Sequence, residues 1–426
     1  MKKTTFILAG LGVGLLGGSV NASAQRDNRL EKGVVTVINN DTIDAARVEK
    51  HLKGNAPSSA KKNGLPRFTI VGKDHKYYAG LGAQFLGEGV FDFGDNMPSP
   101  VSFTPSSITP RTAGNGSSLR FGWQSSAIYL NVVALPGTKD QLGVFLKAEF
   151  MGNNNTFSCS HFYAKYRGLI VGYTSSLFND GAAEPMTIDS EGPNGYPDIT
   201  LFTAYWTQNF TKNLSGAIGI DESTASLSAG NSTATVSQRL PAIPLYLQYA
   251  WNDGNAHLRL SGLVRPMQYR NLDVHRNKSL VGLGVQLSGM TKVAGPISVS
   301  YNAAYGKGIG NYLQDDNGLG LDAVATEKIG DMEMVKSLGV TAGLNCVITP
   351  KLSANLVYSH LSNWLPDKAD VPETQYRYGD YVAANLIYHV NQFVSTGFEY
   401  DYGYRKSVAD ASLHTNRLQL QFGLTF

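Results

Sequence analysis

The sequence predicts an all-β fold, a transmembrane antiparallel β-barrel of about sixteen strands that follows a signal peptide and a short N-terminal segment. Three observations predict it: segments of about ten residues alternate apolar and polar side chains, short and long connections succeed one another in strict order, and the final strand ends on Phe426. The chain also contains 22 Tyr, 18 Phe and 46 Gly. Such a barrel uses aromatic side chains for its interfacial girdles and glycine for its turns.

Residues 1–24 are typical of a secretory signal peptide, because lysines precede the apolar run 6–16 and the small residues 22–24 offer a cleavage site. An uncleaved anchor is the alternative, although the apolar run is shorter than the ~20 residues that cross a bilayer as a helix. Position 25 is Gln rather than Cys, so we do not expect a lipoprotein.

Residues 25–66 are predicted to form a separate periplasmic segment ahead of the barrel at 67–426. Asp41 or Thr42 would cap one short helix at residues 43–52, and Gly54 would end it before a Ser/Lys/Gly/Pro linker. A disordered leader is the alternative to an ordered or oligomerising segment, and the residues leave both open.

Charge and hydropathy exclude several classes of protein. The formal net charge of +3 falls to +1 when Lys2 and Lys3 leave with the signal peptide, so a nucleic-acid partner is not expected. Mean hydropathy is −0.16, and past the signal peptide no stretch approaches twenty apolar residues, which excludes a helical membrane protein. Cys159 and Cys346 fall on strands placed far apart, so we expect neither a disulfide nor a metal site.

The final strand separates its side chains most clearly, because residues 418, 420, 422, 424 and 426 are all Leu or Phe whereas the intervening residues are polar or Gly. Charges in other strands keep to the second face as well. An Arg or Lys facing lipid near the midplane costs about 2–4 kcal/mol, so the charged face must be the lumen. The predicted basic pore-lining residues are Arg120, Lys147, Arg259, Arg265, Arg405 and Arg417, and the other predicted pore-lining residues are Glu149, His161, His257, Glu399 and Asp401.

The connections alternate in length along the chain. We expect strands to begin near residues 76, 117, 140, 156, 168, 198, 213, 241, 256, 277, 294, 334, 351, 376, 392 and 413. Long links run near 95–116, 178–197, 223–240, 307–333 and 364–375, with shorter ones on the same side near 152–155 and 406–412. A soluble sandwich has no reason to place its long loops at one end, whereas an outer-membrane barrel has short periplasmic turns and long external loops. We therefore expect a periplasmic N-terminus.

The link 178–197 follows the fifth strand, and we expect it to fold inward and narrow the pore. Its predicted constriction residues are Asp180, Glu184, Pro185, Thr187, Asp189, Glu191, Gly192 and Pro193. Acidic residues of this loop would face the arginines of the wall and create a transverse field that discriminates solutes by charge. The alternative for each arginine is local pairing with a carboxylate such as Glu149, Glu399 or Asp401.

Several runs resemble the DcaP-like trimeric porins. They are Val171-Gly172-Tyr173-Thr174-Ser175-Ser176-Leu177-Phe178, the loop from Pro185 to Gly195, the strand from His257 to Arg265, the run from Tyr305 to Tyr312, and short motifs near Asn385, Gly397, Gly403 and Asn416. The resemblance covers nearly the whole barrel. It implies a homotrimer of sixteen-stranded barrels in the outer membrane, and a channel for small, often anionic solutes such as dicarboxylates.

Two departures from the family pattern concern function. The family carries a longer N-terminal coiled coil than the short 43–52 segment could supply. Where it has basic residues before a His on the fourth strand, this chain has Ser158, Ser160 and then His161. These departures bear on the coiled coil and on the preference for anions, and they leave the barrel intact.

The sequence therefore predicts a porin that passes small hydrophilic solutes, with outer-membrane lipid and a homotrimer as its partners and with no cofactor. The alternatives are a barrel with a plugged lumen that acts as an adhesive or structural protein, and a barrel hydrolase. We do not expect an enzyme, because the chain lacks a nucleophile motif such as Gly-x-Ser-x-Gly. His161 and His257 are accordingly interpreted as pore lining.

Overall fold

The computed structural model describes residues 34–37, 45–57, 68–113 and 116–426. The expected signal peptide and both predicted helix caps lie outside these described residues. Helix α1 spans Ala45–Asn55, so it continues through Gly54, the predicted terminator. None of the helices in the described part of the chain has the length and apolar character needed to cross a membrane.

Sixteen strands form the wall of the molecule. They are β1 (Tyr77–Gly94), β2 (Ser117–Gly122 and Ala127–Ala134), β3 (Leu142–Glu149), β4 (Ser158–Tyr166), β5 (Leu169–Ser175), β6 (Thr200–Asn209), β7 (Leu214–Asp221), β8 (Ile243–Trp251), β9 (Ala256–Asn271), β10 (Arg276–Ala294), β11 (Ile297–Lys307), β12 (Lys336–Thr349), β13 (Leu352–Trp364), β14 (Tyr376–His389), β15 (Val394–Ser407) and β16 (Ser412–Thr425). Each begins within three residues of its predicted start. Only β2 is interrupted, at residues 123–126.

The strands close into an antiparallel ring. Neighbouring strands pair in chain order, and β16 pairs with β1 from Thr415 opposite Gly94 to Thr425 opposite Gln84. Closure leaves no unpaired edge along the wall, which a barrel needs in a medium that offers no hydrogen bonds. The predicted sixteen-stranded transmembrane barrel is confirmed.

Alternation along each strand sorts side chains between the two faces of the wall. On β16, Leu420 and Phe422 are 59% and 47% exposed on the outside, whereas Arg417 and Gln419 are fully buried on the inside. The same division holds on β9, where Leu260 faces outward and Ser261 is buried. An apolar outer surface of this kind suits hydrocarbon, and the polar inner face suits water.

The two ends of the barrel differ, and we call them the turn end and the loop end. Short turns such as 167–168 join strands at the turn end, and long links such as 176–199 join them at the loop end. A further short link at the loop end, residues 272–275, was not singled out from the sequence. It connects β9 and β10, whose 16 and 19 residues make a hairpin longer than its neighbours.

Smaller elements extend this wall. Phe68–Val71 pairs antiparallel with the start of β1, and Val34–Val37 pairs parallel with Phe68–Val71. In the loops, Leu227–Ser228, Ala323–Ala325 and Met332–Met334 form a three-stranded sheet, and Thr233–Thr235 joins the end of β9. Short 3₁₀ turns occupy Lys73–His75, Pro105–Ser107, Asn153–Asn155, Asn252–Gly254, Gly310–Tyr312 and Gln314–Asp316. Both Cys159 and Cys346 are free thiols.

The largest apolar cluster lies inside the barrel. Loop residues such as Phe178, Ile309 and Tyr312 pack with lumen-facing wall residues such as Leu201 and Leu263. Because these side chains are fully or almost fully buried, the loop half of the lumen is filled by packed loops, which confine solvent to defined cavities.

Candidate permeation path

The link between β5 and β6 crosses the lumen and binds the opposite wall. Its backbone amide at Ile188 donates to the carboxylate of Glu399 at 2.9 Å, and the amide of Gly195 donates to Ser359 Oγ at 3.0 Å. Farther along, Asn194 Nδ2 donates to the carbonyl of Gly379 at 3.0 Å. We call residues 176–199 the inward loop.

One crossing point is too close for side chains. A Cβ atom added to Gly195 would lie 2.4 Å from the carbonyl oxygen of His360, and one added to Gly339 would lie 2.0 Å from the carbonyl oxygen of Gly195. Only glycine allows backbone to approach backbone in this way. The inward loop is therefore anchored against β12 and β13.

At the start of the inward loop, Asp180 joins it to β9 and β10. Its carboxylate accepts hydrogen bonds from His257 Nε2 at 2.8 Å and Ser288 Oγ at 2.6 Å, and Arg259 lies 3.8 Å away. Burial raises the pKa of Asp180, but the bond from His257 and the charge of Arg259 outweigh burial and hold the pKa at about 2. Asp180 is thus a fixed anion.

Asp189, near the middle of the loop, has a raised pKa, whereas that of Asp180 is lowered. Burial and the nearby carboxylate of Glu399 raise its pKa to about 8, although its oxygens accept from the amides of Phe103 at 2.7 Å and Gly192 at 3.0 Å. Thr187 Oγ1 donates to the Asp189 carbonyl at 3.0 Å. Hydrogen bonds therefore hold this part of the loop, although the carboxyl groups of Asp189 and Glu399 lie close together.

The remaining predicted constriction residues also lie in the inward loop. Pro185 packs against Gly343 of β12, and the Pro193 carbonyl accepts from the amide of Tyr196. Glu184 lines a cavity, and Glu191 accepts from Gln314 Nε2 at 3.0 Å. Gly192 adopts a positive φ of 82°, which favours glycine.

Two predicted arginines of the wall are buried in ion pairs. Arg265 Nη1 lies 2.6 Å from Asp322 Oδ1, and both side chains are at most 1% exposed. Arg417 Nε lies 2.7 Å from Asp92 Oδ1. Arg120 binds the same Asp92 at 2.5 Å. These guanidinium groups bind carboxylates of the wall and loops inside the barrel.

The other two arginines hold loop backbone. Arg405 donates to the carbonyls of Ile108 at 3.2 Å and Thr374 at 2.6 Å. Arg259 donates to the carbonyl of Leu177, and its guanidinium stacks 3.7 Å above the Tyr246 ring. Together with the ion pairs, these contacts make the arginines loop anchors, which favours the sequence-level alternative of local pairing.

The rest of the predicted lumen set is divided between cavity and packed wall. Lys147 pairs with Glu149 at 2.6 Å, and His161 Nδ1 lies 2.9 Å from Thr174 Oγ1; all three predicted residues line the cavity toward the turn end. Asp401 is fully buried opposite Arg417.

Two further loops fold into the lumen, and the sequence did not predict them. The amide of Ser106 donates to Asp315 Oδ2 at 2.8 Å, which joins link 95–116 to link 308–335. Asp315 and its neighbour Asp316 are both buried. The apolar residues of 309–321 were the available signal, because an exposed loop has no use for so many.

The described residues enclose two cavities inside the barrel that matter for passage. The cavity toward the loop end, ≈ 480 Å³, is lined by Glu191 and Asp315 among others, and the cavity toward the turn end is ≈ 1220 Å³. Asp198 and Thr200 line both cavities, so these two residues lie between them, where the inward loop returns to the wall. We call this point the narrowing.

The narrowing is acidic. Burial, Glu184 and Glu191 together raise the pKa of Asp198 to about 7, while Asn179 donates to it at 2.6 Å. Burial also raises the pKa of Glu191, and raises that of Asp315 strongly. The negative charge of the narrowing therefore grows as pH rises through neutrality. Among the described residues no group of three or more His, Cys, Asp or Glu is arranged to hold a metal ion.

Solved structures resemble this barrel with its inward loop. The outer membrane channel DcaP of Acinetobacter baumannii superimposes with a TM-score of 0.71 at 19% identity, over 83% of this chain and 99% of that one. This chain has the porin fold. The anion-selective porin from Comamonas acidovorans matches at 0.53 and 9% identity, over 82% of this chain and 100% of that one.

A third solved structure, of an outer membrane protein, is similar as well. OmpT of Vibrio cholerae, in its trimer form, matches at a TM-score of 0.50 and 8% identity, over 82% of this chain and 99% of that one. No protein-family model matches the chain, and no curated protein matches it by sequence. At these identities the comparisons show the fold, including the resemblance to DcaP that the sequence indicated.

Proposed function

We propose that this protein is an outer-membrane porin through which small hydrophilic solutes diffuse passively. The observation that carries the proposal is the pair of cavities, one toward each end of the barrel, that share Asp198 and Thr200 as lining residues. We take the route between the two ends of the barrel to pass these residues. The residues at the narrowing are polar, and such a route suits hydrated solutes. The porin fold supports the same function.

The connections of the barrel support a direction in the membrane. Long loops at one end and short turns at the other are the arrangement of outer-membrane barrels, whose long loops are extracellular. We place the loop end outside and the turn end in the periplasm. The OmpT trimer supports a homotrimer for this chain.

Ion preference is the finer part of the proposal. The anion preference inferred from the sequence, with dicarboxylates as examples, requires cationic side chains that are free to meet the solute. Arg265 and Arg417 are instead held by Asp322 and Asp92, whereas Glu191, Asp198 and Asp315 line the loop-end cavity. The charges at the narrowing support a preference for small cations and neutral polar solutes.

The sequence-level alternatives receive less support from the geometry. A fully plugged lumen receives less support, because cavities of ≈ 480 and ≈ 1220 Å³ remain between the packed loops and the wall. A hydrolase of the serine type needs a serine hydrogen-bonded to its histidine base. Ser288 and His257 instead both donate to Asp180, which places the carboxylate between them.

A planar bilayer tests the proposal directly. The folded protein should insert with stepwise conductance, in groups of three if it is a trimer, and its reversal potential in a KCl gradient should have the sign of cation preference. Liposomes that contain it should swell in small sugars and progressively less in larger ones. A protein that folds and inserts but stays silent in both assays would disprove passive diffusion.

A further inference from the structure

Helix α1 lies inside the barrel at the turn end, although the sequence predicted a separate segment. Val48 and Leu52 are 1% and 4% exposed because they pack against Tyr78 and Val133 of the inner wall. Leu130, on the same strand as Val133, is 37% exposed on the outer face of the wall. The helix is therefore attached to the lumen side of β1 and β2.

The wall supplies donors for the end of this helix. The last carbonyls of an α-helix have no partner within the helix. Here Asn131 Nδ2 donates to the Leu52 carbonyl at 2.8 Å, and Lys165 Nζ donates to that of Gly54 at 3.0 Å. Tyr163 Oη donates to the carbonyl of Asn55 at 2.6 Å. Three side chains from β2 and β4 thus form a socket for the helix C-terminus.

The side chain of Asn55 completes the contact. Its Nδ2 donates to Asn131 Oδ1 at 2.7 Å and to the carbonyl of Val144 at 3.1 Å. Space for it exists because residue 143 is glycine, whose added Cβ would lie 1.8 Å from Asn55 Oδ1. Both hydrogen bonding and shape therefore specify one docked position.

The docked helix carries basic residues at the turn end. Arg47, Lys50 and Lys53 accompany Glu49, a net charge of +2 for the helix with His51 neutral. Arg47 and Lys50 are exposed, and Gly54, Asn55 and Pro57 line the turn-end cavity. Lys165 lines the same cavity from the wall, whereas Lys147 there is paired with Glu149 at 2.6 Å. The net positive charge of the helix lies on the turn-end side of the acidic narrowing.

We propose that α1 is a working part of the channel, which narrows the turn-end mouth and places there a positive charge zone in series with the negative zone of the narrowing. The inference rests on the proposed function, passive diffusion through this barrel. At pH 8, where Asp198 is mainly charged, two zones of opposite charge along one path make the current depend on the sign of the voltage, and they oppose free passage of cations through the periplasmic mouth.

Release of the helix should widen the channel. We would measure single-channel conductance of the full chain with Gly143→Val, which removes the space for Asn55, and separately with Leu52→Asn. Each should raise conductance by about 1.5-fold or more, since a helix with its side chains is about 10 Å wide. Ala45→Asn, at an exposed position of the same helix, is the matched control and should leave conductance unchanged.

Docking itself is tested by a cross-link that does not depend on conductance. In a Cys159→Ser/Cys346→Ser background, Asn55→Cys with Gly143→Cys should form a disulfide on oxidation in the folded barrel, whereas Ala45→Cys with Gly143→Cys should not. Conductance of the oxidised pair should equal that of the unmodified protein. Failure of the first pair to cross-link, in protein that has folded, would overturn the docked position.

The charge zone is tested by a third variant. Replacing Arg47, Lys50 and Lys53 with Gln should move the reversal potential further toward cations and reduce the dependence of current on voltage sign, with the cross-link still forming. A conducting wild type with unchanged values in every variant would disprove this inference alone. A silent wild type would disprove the proposed function instead.

Discussion

Asn55, the last residue of helix α1, donates to Asn131, on the inner face of β2, and Asn131 in turn donates to the backbone of the same helix. Asn55 Nδ2 donates to Asn131 Oδ1 at 2.7 Å, and Asn131 Nδ2 donates to the carbonyl of Leu52 one turn earlier at 2.8 Å. Both side chains are buried. A segment that the sequence assigns to the periplasm is thereby attached inside the barrel.

Asn55→Ala should loosen the helix without unfolding the barrel. It leaves the buried Asn131 oxygen without its donor, and such a loss costs about 1–3 kcal/mol. Hydrogen–deuterium exchange of residues 45–57 should accelerate by roughly 5-fold or more, in line with a loss of ~1 kcal/mol, while the strands keep their protection. Asn277→Ala, at an exposed asparagine of β10, is the control. Unchanged exchange in Asn55→Ala would show that this pair does not hold the helix.

Arg265→Ala should destabilise the folded protein, because it leaves the carboxylate of Asp322 buried without its partner. Breaking a buried ion pair from one side costs about 3–5 kcal/mol. The apparent unfolding temperature, followed by the heat-dependent shift of the barrel in gel electrophoresis, should fall. Arg265→Ala with Asp322→Ala should recover part of the loss. A double variant no more stable than the single one would contradict the pairing.

Ion preference should depend on pH. Asp198 has a raised pKa of about 7, so its carboxyl is mainly neutral at pH 6 and mainly charged at pH 8. The reversal potential in a KCl gradient should shift toward cations over this interval. Asp198→Asn should remove much of the shift, whereas Asp367→Asn, at an exposed loop position, should retain it. A pH-independent reversal potential in the wild type would show that Asp198 does not contribute.

The stability of the folded protein should also depend on pH. A carboxyl group with a raised pKa favours the folded state below its ordinary pKa, and this contribution is lost as pH rises through the folded value. For Asp198 the loss spans the interval from about 4 to about 7, and for Asp316, which burial raises to about 8, it extends to that value. The loops that fill the lumen should therefore exchange hydrogen faster, relative to the strands, at pH 8 than at pH 6 after correction for intrinsic rates.

Gly195→Ala should displace the inward loop from the wall. The new Cβ would lie 2.4 Å from the carbonyl oxygen of His360, and backbone must move to relieve that contact. We expect a changed single-channel conductance and faster hydrogen exchange at residues 185–196. Gly262→Ala, whose Cβ would meet only ordinary contacts at 3.6 Å, should behave as the wild type. Equal behaviour of the two variants would show that the close approach is not needed.

Some features of the functional residues depend on neighbouring positions in the chain, and others depend on contacts between distant positions. The sequence predicts that His257, Arg259 and Arg417 face the lumen, because direction along a strand is a property of neighbouring residues. It could not decide that Arg417 binds Asp92 or that Asp180 binds His257, since these partners lie 325 and 77 residues apart. Asp198 and Asp315 were missed because they belong to links whose course inside the barrel no local pattern records.

By itself the sequence determined the barrel, its strand count and the alternation of short turns at one end with long links at the other. It could do so because side-chain alternation and turn residues act over a few positions. Only the tertiary structure decided what fills the lumen. The contact of Ile188 with Glu399 spans 211 residues, and that of Asn55 with Asn131 spans 76. Such contacts depend on closure of the ring, which brings distant strands to face one another around a single interior.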